Sequence, residues 1–345
     1  MTSTATCAVA ASAMTARWRT LALLPVALLS VALLTAALLL AAAAPARALD
    51  KTSVVLQWLP QAQFAGYYMA VDKGFYEAEG VDMTLIHGGP DVLASEYLEA
   101  GRADFATMFL STALQRRATL PIINVGQFVQ HSALMLITRA GDNIETIDDL
   151  DGKKVGLWAN EFQIQARALF RQRGIRVTVV PQSDSLDLFM RGGVQAASGM
   201  WYNEYHTLLS YGLEEEDIKP FFFSSYGLDF PEDGLYCLEK TANTRPELCQ
   251  AVVRATVRGW LYAFANHDET LEAVMARMDR AGVPANRSHQ RWMLKRMENI
   301  ILSDKVPAVG VLRQEDYEQV RRTLIETGFI DEAPIFPEFY RGPIR

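Results

Sequence analysis

An α/β fold is what this sequence predicts, with largely parallel sheets arranged in two successive sections. Three observations predict it. Short β-branched runs alternate with amphipathic stretches from residue 53 onward, the alternation restarts after Gly141, and from Arg245 the chain turns mainly helical.

The elements follow in order. "SVVLQWL" (53–59) is apolar and β-branched, and Pro60 closes it as a strand. "FAGYYMAVDKGFYEAEG" reads as a helix stopped by Gly74, with a second turn ending at Gly80. "VDMTLIHGG" is the next strand, and "PDVLASEYLEAG" a helix with Pro90 in its first turn and Gly101 as its stop. The strands "ADFATMF" and "LPIINVGQFVQ" flank the helix "STALQRRA", and "ALMLITRA" is a further apolar strand.

The second section opens at "GDNIETIDDLDGKKVGLW". Ile144, Ile147 and Leu150 have helical spacing there, and Gly152 delivers the chain into the strand "KKVGLW". "EFQIQARALFRQRG" is an amphipathic helix, "IRVTVVP" a strand, "SLDLFMRGG" a helix, and "VQAASGMW" a strand that runs into "MWYNEYH" (200–206). Beyond "KPFFFSSYGLDFPEDGLYCLEK" come the helices "RPELCQAVVRATVRGWLYAFANH", "DETLEAVMARMDRAG" and "QEDYEQVRRTLIETG". Helices appended after two α/β sections predict two lobes whose hinge the chain crosses more than once.

At the N-terminus Arg17 and Arg19 precede the apolar run 21–44, followed by Ala46-Arg47-Ala48. This order of basic, apolar and small-x-small residues is that of a secretory signal peptide. It predicts removal of residues 1–48 and a periplasmic protein; the alternative is an uncleaved anchor, since the run is long enough to span a bilayer. Removal leaves 30 basic residues against 40 acidic ones, a net charge of −10. That balance speaks against nucleic acid or an anionic membrane surface as a partner. Cys237 and Cys249 are the cysteines left, and their spacing leaves a disulfide open. With no CxxC, no HExxH and five scattered histidines, no metal site and no cofactor are expected.

The stretch "QWLPQAQFAGYYMAVDKGFYEAEGVDMTLIHGG", with "YLEAGRADFAT" and "IETIDDLDGKKVGLW", resembles the exported substrate-binding proteins of the SsuA/THI5-like (NMT1) group. The similarity runs over essentially the whole chain after the leader. It implies a type II periplasmic binding-protein fold, with two α/β lobes, a hinge and ligand in the cleft. By that analogy lobe one is 49–138 plus 238–345 and lobe two 139–237. The implied protein is a monomer, and its partners are the permease and ATPase of an ABC importer. Members of the group bind nitrate, sulfonates, thiamine-pyrimidine precursors or riboflavin, so fold alone does not give the ligand.

In such lobes a ligand meets the ends of the strands and the loops that follow. Four segments sit there: "QWLPQAQFAGYY", "TMFLSTA", "LWANEF" and "GMWYNEYH". The first two offer Trp58, Gln63, Phe64, Tyr67 and Ser111. The last two offer Trp158, Glu161, Trp201, Tyr202, Asn203 and Glu204. Aromatics, amides and carboxylates dominate, and neither Arg nor Lys is among them. A nitrate or sulfonate needs concentrated N–H donors or a guanidinium in place of its hydration. A flat heterocycle wants rings on its faces and hydrogen-bonding groups at its edge. Tyr202-Asn203-Glu204 also resembles, in permuted order, an Asn-Tyr-Glu element of the thiamine-precursor binders, with Glu204 the best match. The competing reading makes "MWYNEYH" the first turn of a helix whose aromatics fill a core.

One branch of the group synthesises the thiamine pyrimidine, using a Schiff-base lysine, a donor histidine and a cysteine-rich iron-binding motif. Here Met108 stands at the lysine's place, Thr112 at the histidine's, and Cys237 is alone in the matching segment. That chemistry has no apparatus without the amine, so no enzyme is expected. The ligand reading is a formylaminopyrimidine or hydroxymethylpyrimidine, with riboflavin as the alternative and nitrate or a sulfonate third.

Overall fold

The computed structural model describes residues 48–302 and 309–343, and the leader motif lies outside the described residues. Among the described residues ten strands form two five-stranded sheets. The first contains β1 (Asp50–Leu56), β2 (Val81–His87), β3 (Phe105–Met108), β4 (Ile122–Gln127) and β10 (Gly234–Leu238), in the order β2-β1-β3-β10-β4. The second contains β5 (Leu134–Arg139), β6 (Lys154–Trp158), β7 (Thr178–Gln182), β8 (Ala196–Met200) and β9 (Ile218–Phe222), in the order β7-β6-β8-β5-β9.

The sheets share a plan. β1 runs parallel to β2 and β3, and β6 parallel to β7 and β8. Each sheet carries one reversed strand near its centre: β10 lies antiparallel between β3 and β4, and β5 antiparallel between β8 and β9. Each reversed strand is the one reached by crossing from the other sheet.

Those crossings fall at 128–133 and 223–233, which moves the lobe boundaries expected at 138/139 and 237/238. The apolar run of β5 belongs with the second sheet, where Leu134 pairs with Met200 and Thr138 with Ala196. Leu235 and Cys237 of β10 pair with Thr107 and Phe105 in the first. Both runs read as generic buried strands, and pairing partners are not written into local composition.

A polar knot joins the crossings. Glu232 is buried, and one of its oxygens accepts from Ser132 Oγ at 3.1 Å, Ala133 N at 2.7 Å and Leu134 N at 3.2 Å, the amides that open β5. Asp229 accepts from Ser132 N at 3.0 Å and pairs with His131 Nδ1 at 2.8 Å. Such groups satisfy backbone donors that a buried connection would otherwise leave bare.

Two close helices position the segment after β1. That segment passes through a short 3-10 turn (Ala62–Phe64) into the helix Ala65–Asp72, which stops before Gly74 at φ 64°. The helix packs on Pro246–Ala265 so tightly that a Cβ on Gly259 would lie 2.0 Å from Gly66 O, and one on Gly66 would meet the Trp260 ring at 2.2 Å. Glycine at both places permits the approach. The helix Arg287–Ile301 is an element the sequence reading passed over; it seats Gln290, Met293, Leu294 and Met297 inward, and Gln290 Oε1 accepts from Ala62 N at 2.8 Å.

Candidate functional site

The C-terminal ends of β1, β3, β6 and β8 turn toward one another across the two sheets and enclose a cavity of about 30 Å³. Its apolar lining is Trp58, Phe109, Trp158, Phe162, Met200 and Tyr202. The rings close on each other edge to face, Trp58 on Phe162 at 5.3 Å and Phe109 on Phe162 at 5.5 Å between centroids. Trp158 is held in place by Nε1 donating to Ser183 O at 3.1 Å. Beyond Trp58, Trp158 and Phe162 a wider space of about 460 Å³ opens, bordered by Pro90, Asp91, Gln182 and Ser183.

The polar lining is three glutamines, an asparagine and a carboxylate. On the side of the first sheet, Gln57 and Gln63 donate their Nε2 groups to the two oxygens of buried Asp233, Gln63 at 2.8 Å. Gln61 donates Nε2 to Gln63 Oε1 at 2.6 Å. Burial pushes the Asp233 carboxyl up to about 7, although both amide donors favour its charged form.

On the side of the second sheet stands Glu204, first residue of the helix Glu204–Ser210. Its Oε2 accepts from Met200 N at 2.9 Å and its Oε1 from Asn203 Nδ2 at 2.7 Å. Burial raises its carboxyl to about 7 against the pull of those donors. Asn203 is itself held, because its Oδ1 takes the Nε2 proton of His289 at 2.8 Å. His289 Nδ1 then lies 3.0 Å from His206 Nδ1, so one ring donates and the other accepts. The helix Arg287–Ile301 therefore grips the second wall through Asn203.

Of the residues expected at the site, the cavity brings together Trp58, Gln63, Trp158, Tyr202, Asn203 and Glu204. The others do not line it. Phe64 and Tyr67 are core, Tyr67 with its ring edge on Phe128 at 5.9 Å. Ser111 is buried in the first turn of the helix Leu110–Arg117. Glu161 accepts from Ser95 Oγ at 2.8 Å and faces Arg116 at 3.9 Å, so neighbouring side chains occupy it. Trp201 sets its ring against Phe222 and under Arg296, and its carbonyl accepts from Trp292 Nε1 at 3.1 Å. The turn after β8 sends Tyr202 inward and Trp201 aside.

Gln57, Gln61, Phe109, Phe162 and Met200 line the cavity and were missed. A signal existed for two of them: Gln57, Gln61 and Gln63 crowd seven residues at a strand end. Met108, Thr112 and Cys237 are buried, and the cavity wall contains no lysine. Cys237 Sγ and Cys249 Sγ touch at 4.0 Å without a bond. Among the described residues no helix is long and apolar enough to cross a membrane, and no cluster of His, Cys, Asp and Glu could hold a metal ion.

Comparison with known proteins bears on both fold and family. A riboflavin-binding protein, RibY of Chloroflexus aurantiacus, is 26% identical over 67% of this chain and 68% of its own length. A formylaminopyrimidine-binding protein of Halalkalibacterium halodurans is 24% identical, covering 74% and 81% respectively. The synthase THI5 of Saccharomyces cerevisiae, by contrast, matches 37% of this chain and 38% of its own, at 23% identity. Among solved structures, the periplasmic aliphatic sulphonate binding protein SsuA of Escherichia coli superposes with a TM-score of 0.63 at 12% identity, over 84% of this chain and 91% of that one. The fold is thus that of the periplasmic binding proteins, two α/β lobes with a cleft between them. The family model described as NMT1/THI5 like matches residues 61–270, more than half of the sequence, and the chain belongs to that family.

Proposed function

We propose that this protein is the exported solute-binding component of an ABC importer, and that its cleft captures a single-ring heterocycle rich in N–H donors. A thiamine-pyrimidine precursor of the formylaminopyrimidine or hydroxymethylpyrimidine type has that chemistry. One observation carries the reading: uncommitted side-chain acceptors cluster at the polar edge of the cavity. One N–H of each Nε2 group of Gln57, Gln61 and Gln63 is already donated, and the side-chain Oε1 atoms of Gln57 and Gln61 accept from no other described residue. Gln57, Gln61 and Glu204 line the same ring-walled space. An exocyclic amine, a formamide N–H or a protonated ring nitrogen satisfies such an edge, and an unsatisfied buried acceptor is costly.

The same feature weighs against the alternatives. An isoalloxazine offers a single ring N–H flanked by two carbonyls on its polar edge, where the aminopyrimidine offers an exocyclic NH2 to the acceptors. A sulfonate or nitrate finds no Arg or Lys in the lining. The inner space is also narrow, so the walls must part to admit any ring, and a single ring requires the least opening. The fungal synthase chemistry lacks its lysine at Met108.

The test is a thermal-shift screen of the purified protein with formylaminopyrimidine, hydroxymethylpyrimidine, riboflavin and an alkanesulfonate. A ligand at about 100 times its Kd adds roughly 2.7 kcal/mol to stability. A clear rise in Tm with a pyrimidine, absent with the others, is the expected result. A rise with riboflavin or the sulfonate and none with either pyrimidine would overturn the assignment.

A further inference from the structure

Asp233 lies behind the wall that Gln57 and Gln63 present, and does not itself line the cavity. It sits where the second crossing between the sheets enters β10, 5% exposed, beside Glu232. We infer that Asp233 is a specificity-determining positioning residue, which turns the oxygens of the first wall toward the ligand by claiming the nitrogens. The inference rests on the donor-rich ligand reading above and adds the residue that enforces it.

The argument is one of donor and acceptor counting. In its ionised form Asp233 only accepts, so each glutamine facing it offers an N–H of its NH2 group. Gln57 meets Oδ1 and Gln63 meets Oδ2. The commitment of Gln63 then orients Gln61, which donates one N–H of its NH2 to Gln63 Oε1 at 2.6 Å. An amide on its own is reversible at almost no cost, because its two ends have nearly the same shape. Three amides locked in one sense therefore need an asymmetric partner, and Asp233 is the one present. Of the groups around it, Tyr67, Tyr202 and Tyr236 carry hydroxyls that both donate and accept, and the Glu232 side chain bonds neither glutamine: one oxygen takes Ser132, Ala133 and Leu134, and the other has no partner.

Asp233→Asn removes the asymmetry at constant shape. An asparagine can donate to one glutamine oxygen and accept from the other glutamine, so Gln57 is free to reverse and show its NH2 to the cavity. The probes are a matched pair of rings, 4-amino-2-methylpyrimidine and its 4-oxo counterpart. The wild-type protein should prefer the amine, and the variant should lose about tenfold or more of that preference. A purely structural role would weaken both probes alike and leave the ratio unchanged, which would overturn the inference.

A second measurement needs no ligand. Glu204, across the cavity, titrates in the same range as Asp233, and Glu232 lies beside Asp233, so the background is Glu204→Gln. In ¹⁵N spectra of that protein the Gln57 and Gln63 side-chain amide signals should move together as Asp233 titrates near pH 7, and those shifts should vanish when Asp233→Asn is added. If the Asp233 variant does not fold, the titration in Glu204→Gln decides by itself; signals indifferent to pH would sink the inference. Should the amide signals respond while neither ring binds the wild type, the orientation of the wall stands and the pyrimidine reading falls.

Discussion

The two walls of the cleft solve one problem in opposite ways. On the first wall the carboxylate, Asp233, is hidden and the glutamines it orders are presented. On the second wall the carboxylate, Glu204, is itself presented, and the groups that order it, Asn203 and the Met200 amide, stand beside it. A presented carboxylate contributes charge to the ligand, while a hidden one contributes only direction. The first wall should therefore govern which ring is chosen, and the second how tightly it is held.

The largest effect expected from this contrast is at Glu204. Glu204→Gln keeps the shape and lowers affinity for the amine-bearing ring by about 1.5–3 kcal/mol, roughly ten- to a hundredfold. The same change should stabilise the empty protein at alkaline pH. Burial raises the Glu204 carboxyl to about 7, above the ordinary value near 4.5. The folded state therefore holds its proton longer than the unfolded chain does. Its contribution to stability is fully present below about pH 4.5 and is lost as pH rises through 7, by an amount on the order of 3 kcal/mol. Chemical unfolding of wild type and variant at pH 4.5 and 8, with calorimetric titration at pH 8, measures both. Lower affinity together with a variant that gains on wild type as pH rises is the expected pair. Unchanged affinity would remove Glu204 from the ligand's edge.

How legible each wall was follows from how far apart its parts lie in sequence. "MWYNEYH" carries the second wall within seven residues, and a carboxylate and amide amid aromatics at a strand end marked it. The first wall joins Gln57 and Gln63 to Asp233, about 170 residues away, and nothing local at "PEDG" announces the pairing. The strand and helix order was readable from periodicity, but the lobe boundaries were not, because β5 and β10 show only that they are buried. Trp201 lies outside the lining for a local reason. Met200 and Tyr202 both line the cavity, so the alternation of β8 carried two residues past its end turns Tyr202 inward and Trp201 aside.

The next effect concerns that residue and separates the wall from its backing. Trp201 is half-buried against Phe222 and Arg296 and lies outside the cavity lining. Trp201→Ala should cost on the order of 2 kcal/mol of stability, below the 3–5 of a fully buried ring. Ligand affinity, measured well below the melting temperature, should change by no more than about threefold. The reverse pattern, a stable variant that binds poorly, would put Trp201 on the ligand and redraw the second wall.

The smallest effect tests whether the helix Arg287–Ile301 holds the second wall in place. The link runs from His206 to His289 to Asn203 to Glu204, and it crosses from the helix Arg287–Ile301 to the turn after β8. Burial lowers His289 to about 4, and His206 is lowered too. The groups facing the pair are Glu204 through Asn203, the Trp292 ring and, beyond it, Arg296. If the halves part when the cleft opens, both rings meet water and recover values near 6.5. The open form then binds more protons than the closed one between pH 6.5 and 4, and acid favours opening. Affinity should fall about tenfold from pH 7.5 to 5.5 on this account. Glu204 adds its own acid loss, so the comparison is with His289→Gln, whose Nε2 can still donate to Asn203 and never takes a second proton. Titration calorimetry across that range should show a shallower decline in the variant. Parallel declines would assign the whole pH dependence to Glu204 and leave the histidine pair without a part in closure.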